Sequence, residues 1–409
     1  MLTPDYLDNC TLIILAMYDA LNNEIAEDIA RLIVKTGSAE GYAEILVEAA
    51  QKNGKLLTEI TSDVARINRM SEKEVEKLFR DAGVKSYQND IRPLVKAGIN
   101  VNMSMSPAMA QMLNAAILKT NGDLRNLTMT TGSTAVGRYL EACNRAYSQV
   151  LSGGYSYQTA IRRAVKFAAT DDNYVIYPSG SRSRLDVAVR RSVLTGVNQT
   201  CAKNTEIFAS EMDVQYYETS AHVGARPSHE EWQGQVFKIE GSDGDHENFE
   251  DATGYGAVDG LCGANCRHSF FPYWPGISSP AYSAADLASL GSRSVEYDGE
   301  MYTEYEASQI QRKIERDIRD SKRKLAVYDA AASEADDETL VNMLKEDFSK
   351  ESVKLKEKEK KLNDFCRQTK RRKDSFRTQV HAVKDGSGKV VSFNRSVSAK
   401  AVWANRRAQ

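Results

Sequence analysis

The sequence predicts a mainly α-helical protein with one small α+β or irregular module built as a metal knuckle. It also predicts a helical N-terminal region and a long C-terminal helical hairpin. Apolar residues recur at steps of three and four up to about residue 210 and again from residue 304, as in helices that bury one face. The segment between them is rich in Gly, Pro and aromatic residues and lacks this period.

The first 210 residues read as a series of helices. Tyr18, Leu21, Ile25, Ile29 and Leu32 form one apolar stripe, with Pro4 before it and Gly37 after it as helix punctuation. Ser71 and Glu74 form a plausible capping box. The remaining predicted helices cover residues 38–52, 55–82, 106–120, 136–151, 157–168 and 184–212.

The periodicity changes at residue 213. Alternating apolar and polar residues predict short strands near 214–219 and 235–239, followed by an acidic loop over 241–251. A Gly- and Pro-rich stretch continues to residue 280. Small irregular folds of this kind often need a metal ion or disulfides for stability.

Two long charged helices follow, one carrying Ile314 and Ile318 and the other Leu355 and Leu362, with a turn predicted over 330–337. Their narrow stripes are typical of a coiled-coil hairpin. A short β-hairpin around a Gly turn is predicted over 383–391. The predicted domains are a helical domain (1–180), a core module with the His/Cys knuckle (181–285), a hairpin arm (300–375) and a basic tail (376–409).

Charge is unevenly distributed along the 409 residues. The whole chain has a net charge of −2, whereas residues 305–409 carry 26 Lys and Arg against 17 Asp and Glu. A basic end favours an anionic partner such as double-stranded DNA or an acidic protein surface, and a solvated helical arm is the alternative. The candidate DNA-binding residues are Arg371, Arg372, Lys373 and Arg377.

Two classes of protein do not fit the sequence. The N-terminal region lacks a secretory signal, and its apolar run over 12–17 is too short to span a bilayer, so no membrane partner is expected. Six cysteines in 409 residues, four of them isolated, do not form a disulfide framework.

The densest chemical cluster lies in the irregular module. His229, Cys266 and His268 are the first three candidate metal ligands, and Cys262 or His222 would be the fourth. Structural zinc takes four N or S ligands in a tetrahedron, often as closely spaced pairs joined by a turn. The cluster therefore predicts a structural zinc ion, and packing without a metal is the alternative.

Enzyme motifs are incomplete. The sequence after His229 lacks the second histidine of a zinc peptidase, and residues 132–138 have P-loop glycine spacing without the Lys–Ser/Thr pair. The acidic run over 243–247 lacks the Gly and closing Glu of a calcium loop. These absences predict that the protein is not an enzyme.

Four segments carry a family resemblance. They are 219–237 (TSAHVGARPSHEEWQGQVF), 254–269 (GYGAVDGLCGANCRHS), 190–200 (RRSVLTGVNQT) and 305–316 (YEASQIQRKIER). They resemble the phage minor capsid protein 2 family, which is similar to the Mu F-like head morphogenesis proteins. In those relatives His229, Cys266 and His268 correspond to cysteines, and Arg226 stands where their first cysteine would be.

The resemblance implies a structural minor capsid protein in the virion, present in the host cytoplasm during assembly. It implies binding to the portal protein and the major capsid protein, with the basic tail near packaged DNA. Two alternatives belong to other classes. One is a metal-dependent hydrolase or toxin-like effector, for which Glu230, Glu231 and Asp259 are the nearby carboxylates. The other is a DNA-binding scaffold without portal affinity.

Overall fold

The computed structural model describes residues 2–36, 42–170, 174–177, 180–291, 294–374, 376–380, 382–384, 390–393 and 396–407. Across these residues the protein is mainly helical with a few small antiparallel sheets, which confirms the predicted fold class. No helix in the described ranges is long and apolar enough to cross a membrane.

The helices are α1 (Pro4–Asn9), α2 (Leu12–Thr36), α3 (Tyr42–Asp90), α4 (Arg92–Lys96), α5 (Pro107–Leu151), α6 (Tyr157–Ala169), α7 (Leu185–Glu211), α8 (Pro227–Glu230), α9 (Phe249–Thr253), α10 (Ala284–Gly291), α11 (Glu304–Glu334), α12 (Glu338–Gln368) and α13 (Ser396–Arg407). The strands are β1 (Tyr174–Ile176), β2 (Arg182–Arg184), β3 (Tyr216–Thr219), β4 (Val236–Lys238), β5 (Phe270–Tyr273), β6 (Ser294–Tyr297), β7 (Glu300–Thr303), β8 (Ala382–Lys384) and β9 (Val390–Phe393). Strand β3 is the middle strand of the sheet β4-β3-β5, and the other sheets are two-stranded antiparallel pairs of consecutive strands.

The predicted N-terminal stripe lies on α2. Four of its five residues are buried. Pro4 begins the separate short helix α1, where its missing N–H costs nothing, and Thr3 caps that helix by accepting from the N–H of Tyr6. Helix α2 ends at Thr36, and Gly37 lies outside the described residues.

Two helices are longer than predicted. Helix α3 runs without interruption from Tyr42 to Asp90, so the break predicted near residue 54 is absent. The capping box predicted at Ser71 is also wrong, because this residue lies inside the helix and its side chain is buried. Residues 38–41 of that prediction lie outside the described residues. Helix α5 likewise joins the helices predicted over 106–120 and 136–151 and contains Gly132 and Gly137, the two glycines of the incomplete P-loop spacing. A helix can include Gly at a cost of about 1 kcal/mol each when packing compensates.

Spatial proximity divides the chain into two compact units, each assembled from three stretches. Unit 1 comprises Met1–Leu12, Ser71–Leu124 and Val189–Ile310, and unit 2 comprises Ile13–Met70, Arg125–Ala188 and Gln311–Gln409. The four domains predicted from the sequence remain a prediction about which stretches fold independently.

Unit 2 contains the C-terminal helical hairpin. Helices α11 and α12 run antiparallel, because Ser321 donates to Glu351 at 2.6 Å whereas Gln311 donates to the carbonyl of Arg372 at 3.0 Å. The connecting turn is shorter than predicted, since α11 continues to Glu334. The predicted β-hairpin is present as β8 and β9, with its turn outside the described residues. Helix α13, which lies beside α12, was not predicted.

An ion pair joins α6 to α12 in unit 2. Arg162 donates from Nε and Nη2 to the two carboxylate oxygens of Asp347, each at 2.6 Å. Lys166 lies 2.8 Å from the same carboxylate. The Asp347 side chain is only 3% exposed, so Arg162 supplies charge and hydrogen bonds that water cannot.

Unit 1 holds the sheet β4-β3-β5 and an aromatic core. Tyr217, Phe249 and Phe270 pack edge to face or tilted, with ring centroids 4.7 to 5.0 Å apart. Glu218, also on β3, is buried and accepts at 2.6 Å from the N–H of Ala281. This arrangement holds a loop of the Gly- and Pro-rich stretch against the sheet.

Gly234 makes the turn before β4. Its φ of +71° is unfavourable for residues with a side chain, and a Cβ there would lie 2.4 Å from Cδ2 of Leu287. The backbone conformation therefore favours glycine at this position, and a Cβ would in addition force the Leu287 side chain to move.

Candidate metal centre

The candidate metal centre lies in unit 1 beside the end of the sheet. His229 lies on the short helix α8, which begins at Pro227, and His268 lies two residues before the start of β5. Cys266 lies in the loop between α9 and β5. That loop folds back tightly, because a Cβ on Gly260 would lie 1.9 Å from the carbonyl oxygen of Gly254. Glycine at this point is therefore required for the loop that presents Cys266.

Three ligand atoms meet in the buried interior of this site. The Nδ1 atoms of His229 and His268 are 3.4 Å apart, and Sγ of Cys266 is 3.8 Å and 3.7 Å from them. A tetrahedral zinc ion with normal bond lengths separates two nitrogen ligands by about 3.3 Å and a nitrogen from a sulfur by about 3.6 Å. The observed distances match these values, so this buried group could hold a metal ion.

Hydrogen bonds determine which histidine nitrogen carries the proton. Nε2 of His229 lies 2.8 Å from the carbonyl oxygen of Asp259, which can only accept. Nε2 of His268 lies 3.2 Å from Oε1 of Gln233, and the same Oε1 accepts from the N–H of His222 at 3.0 Å. Both imidazoles therefore carry the proton on Nε2 and direct a lone pair from Nδ1 toward the shared centre. Two such acceptors cannot bond to each other, whereas a cation between them satisfies both.

Burial sets the charge state of the three residues. Desolvation lowers the pKa of both histidines, and that of His268 is lowered well below its usual range. Desolvation also raises the pKa of the Cys266 thiol. Without a metal ion the imidazoles are neutral and the thiol is protonated at pH 7, so metal binding must displace the thiol proton.

The two candidates for the fourth ligand lie next to this group and outside it. Sγ of Cys262 is 3.7 Å from the carbonyl oxygen of His268, and the ring of His222 stacks on that of His268 with centroids 4.2 Å apart. Nδ1 of His222 is 3.0 Å from the carbonyl oxygen of Val223, so Nδ1 carries the proton and Nε2 the lone pair. Cys262 has a φ of +57°, which is uncommon for a residue with a side chain. The assignment of the fourth ligand remains a prediction.

Three carboxylates were weighed as catalytic groups. Glu230, Glu231 and Asp259 are exposed, and only the backbone carbonyl of Asp259 contacts the centre. The acidic run that resembles a calcium loop is a local turn, in which Asp243 accepts from the N–H groups of Asp245 and His246 at 3.0 and 2.8 Å. The described ligand group thus contains nitrogen and sulfur atoms alone.

The predicted DNA-binding residues lie in unit 2 after α12. Arg371 is half-buried and donates to Gln311 at 2.9 Å, and Arg377 is half-buried as well. Arg372 and Lys373 are exposed. Two of the four side chains are therefore accessible to a large anionic partner.

Two residues of the site were absent from the sequence prediction. Gln233 contacts His268, and Asn198 on α7 donates to the carbonyls of Cys266 and His268 at 3.3 and 2.8 Å. No sequence signal identified them, because buried amides occur in most folds and these lie 35 and 70 positions from His268.

Comparison with known proteins gives one positive result. Residues 2–367 match the family described as Phage minor capsid protein 2, so the match includes every candidate metal ligand and ends before the four candidate DNA-binding residues. No curated protein and no solved structure matches the chain.

Proposed function

Because this chain belongs to the phage minor capsid protein 2 family, we propose that it is a structural protein of the phage head bound to the portal protein and the inner capsid. Membership implies a minor capsid role, association with other head components and a place in the virion. The observation that favours a structural role is the ligand set, since buried N and S ligands are typical of structural metal sites.

The portal assignment is tested by co-expressing the full chain with the portal and major capsid proteins of the same phage. Crosslinking and mass spectrometry of the purified assemblies should link this protein to the portal. Crosslinks to the major capsid protein alone would contradict portal docking and leave the head role standing. Purified heads that lack the protein would contradict both.

We propose that the ion at the centre is zinc and that His229, Cys266 and His268 bind it, with Cys262 or His222 in the fourth position. Structural zinc sites in proteins are almost always tetrahedral, and zinc accepts mixed sets of cysteine and histidine ligands. Elemental analysis of the purified protein should give about one zinc per chain, following the single-site geometry. Cys266→Ala should lose it, whereas Cys143→Ala, a buried cysteine of unit 2, should retain it.

A second proposed activity is contact with double-stranded DNA through unit 2. Lys345, Lys356 and Lys360 are exposed on α12, and none forms an ion pair with any residue that the structure describes. At 100° per residue, these three lysines and Arg367, which pairs with Asp364, fall within about 60° around the helix axis and span about 33 Å along it. This cationic row, with Arg372 and Lys373 beyond its end, matches a phosphate backbone in sign and extent.

Other lysines of α12 provide a matched control. Lys350 and Lys354 pair with Glu346 and Glu351, and together with Lys361 they occupy a different face. Replacing Lys345, Lys356 and Lys360 by Gln should make the negative slope of log K against log salt shallower by about 2 to 3 for a 30-base-pair duplex. The same change at positions 350, 354 and 361 should lower it by less than one. Equal effects of the two triple substitutions would contradict DNA binding by the cationic row. If the wild type binds no DNA at low salt, DNA is not the partner of this surface and an acidic protein is the remaining candidate.

A further inference from the structure

Two buried amides, Gln233 and Asn198, surround the ligands of the metal centre and belong to neither the predicted ligand set nor the exposed surface. Gln233 is 6% exposed and Asn198 is 0% exposed. Both contact the segment that carries Cys266 and His268. Oε1 of Gln233 and Nδ2 of Asn198 are both hydrogen-bonded to this part of the chain, whereas Oδ1 of Asn198 has no hydrogen-bond partner among the described residues. Because burying a polar group costs free energy unless it is hydrogen-bonded, these contacts are specific.

A backbone N–H group, which can only donate, fixes the orientation of the Gln233 side-chain amide. The backbone N–H of His222 donates to Oε1 of Gln233 at 3.0 Å, which identifies that atom as the oxygen. The oxygen then accepts from Nε2 of His268 at 3.2 Å. This contact keeps the proton on Nε2 and leaves Nδ1, the atom that faces Cys266 at 3.7 Å, free to bind a metal ion.

Asn198 acts on the backbone of the same segment. Its Nδ2 donates to the carbonyl oxygens of Cys266 and His268 at 3.3 and 2.8 Å. One amide group thus holds two backbone positions whose side chains carry two of the three ligand atoms. Because Asn198 lies in the middle of the long helix α7, its hydrogen bonds hold the loop in a fixed position relative to that helix.

We infer that Gln233 and Asn198 are positioning residues of the metal centre: Gln233 selects Nδ1 of His268 as the ligand atom, and Asn198 fixes the spacing between His268 and Cys266. This inference rests on the proposed metal centre. Neither residue binds the ion. Without Gln233 the imidazole is free to carry its proton on Nδ1, and that form cannot bind a metal through Nδ1.

The test compares zinc affinity in full-length variants by competition with a chromophoric chelator. Gln233→Leu should weaken zinc binding about 10- to 100-fold, as loss of a partner behind a histidine ligand does. Gln233→Glu keeps an acceptor for both N–H groups and should retain the affinity. Gln235→Leu, the same change two residues away at an exposed position, is the matched control and should have no effect.

For Asn198 the informative change is Asn198→Asp, which removes the donor and preserves the size. Its control is Asn204→Asp, a change on the same helix at a position that is similarly buried, at 3% exposure. Asn198→Asp should weaken zinc binding at least tenfold relative to Asn204→Asp. Equal affinities in this pair would overturn the assignment of Asn198.

A second readout does not depend on metal. Two-bond ¹H–¹⁵N spectra distinguish an imidazole protonated on Nε2 from one protonated on Nδ1. His268 should show the Nε2–H pattern in the zinc-free wild type and in Gln233→Glu, and should lose it in Gln233→Leu. If Gln233→Leu keeps both the pattern and the affinity, the inference is wrong. If the wild type binds neither zinc nor cobalt, the proposed metal centre fails, and the spectra still test the tautomer.

Discussion

Zinc binding should release protons, and their number reports which residues are ligands. Burial raises the pKa of the Cys266 thiol, and it lowers the pKa of His229 and His268. At pH 7.5 the zinc-free site therefore has two neutral imidazoles and one protonated thiol. Binding through these three atoms removes one proton, which comes from the sulfur.

The magnitude follows from this proton count. Each proton released makes the affinity rise tenfold per pH unit, or about 1.4 kcal/mol per pH unit. The rise should continue above pH 8.5, because the thiol pKa is shifted upward. If Cys262, whose thiol pKa burial also raises, completes the tetrahedron, two protons are released and the slope doubles. If His222 completes it, the slope stays at one, because burial lowers the pKa of His222 to about 4.

Isothermal titration calorimetry in two buffers of different ionisation enthalpy counts the protons, and chelator competition from pH 7 to about pH 9.5 gives the slope. Cys266→Ser should abolish zinc binding or, if weak binding persists, release one proton fewer, and Cys262→Ser should release one fewer only if Cys262 is a ligand. Cys143→Ala should leave the count unchanged. A zinc affinity that does not vary with pH, or a count unaffected by Cys266→Ser, would refute the reasoning.

Three further predictions concern stability. Arg162→Ala removes two hydrogen bonds from the buried Asp347 carboxylate, leaves Lys166 as its remaining cation and should cost about 2 to 3 kcal/mol in urea unfolding. The neighbouring Arg163→Ala, at an exposed position over the ring of a tyrosine, should cost about 1 kcal/mol or less, and equal losses would contradict the buried pair. Gly234→Ala should lower the melting temperature by several degrees more than Gly241→Ala, since both have positive φ but only the first lacks space for a Cβ. Burial raises the pKa of Glu218 to about 7, so the unfolded chain loses this proton at a lower pH than the folded protein does. The free energy of unfolding should therefore fall as the pH rises from 4.5 to 7. Glu218→Gln should abolish that part of the pH dependence, and an unchanged pH profile would count against it.

Much of the helical architecture is predictable from the sequence, because the pattern of apolar residues within each helix determines that helix. An apolar stripe records which face of a helix is buried, so α2, α6, α7, α11 and α12 were all predicted near their observed positions. The continuity of α5 was not predictable from its sequence. Gly132 and Gly137 are turn signals locally, and their helical conformation depends on packing by residues distant in the chain. Helix α13 lies in the segment that was predicted as a basic tail with a short β-hairpin, and no helical period was identified there.

The candidate site divides in the same way. His229, Cys266 and His268 were identifiable because ligand residue types at short spacing are rare outside metal sites, and the structure brings their ligand atoms together. Asn198 and Gln233 were not identifiable, since an amide has no distinctive spacing and its role depends on which backbone groups the fold presents to it. Sequence spacing does not show whether Cys262 or His222 is the fourth ligand, because both lie next to the three-residue group in the fold.

The 37-position separation of His229 and Cys266 has a topological consequence. With an ion bound to both, the chain between them becomes a closed ring, which removes about 4 kcal/mol of conformational freedom from the unfolded state if the relation for a covalent cross-link is applied. A disulfide of equal span would give a similar gain and be cleaved by thiols. The metal-closed ring is insensitive to reductants and opened by chelators, so the integrity of unit 1 would depend on metal supply and not on redox potential.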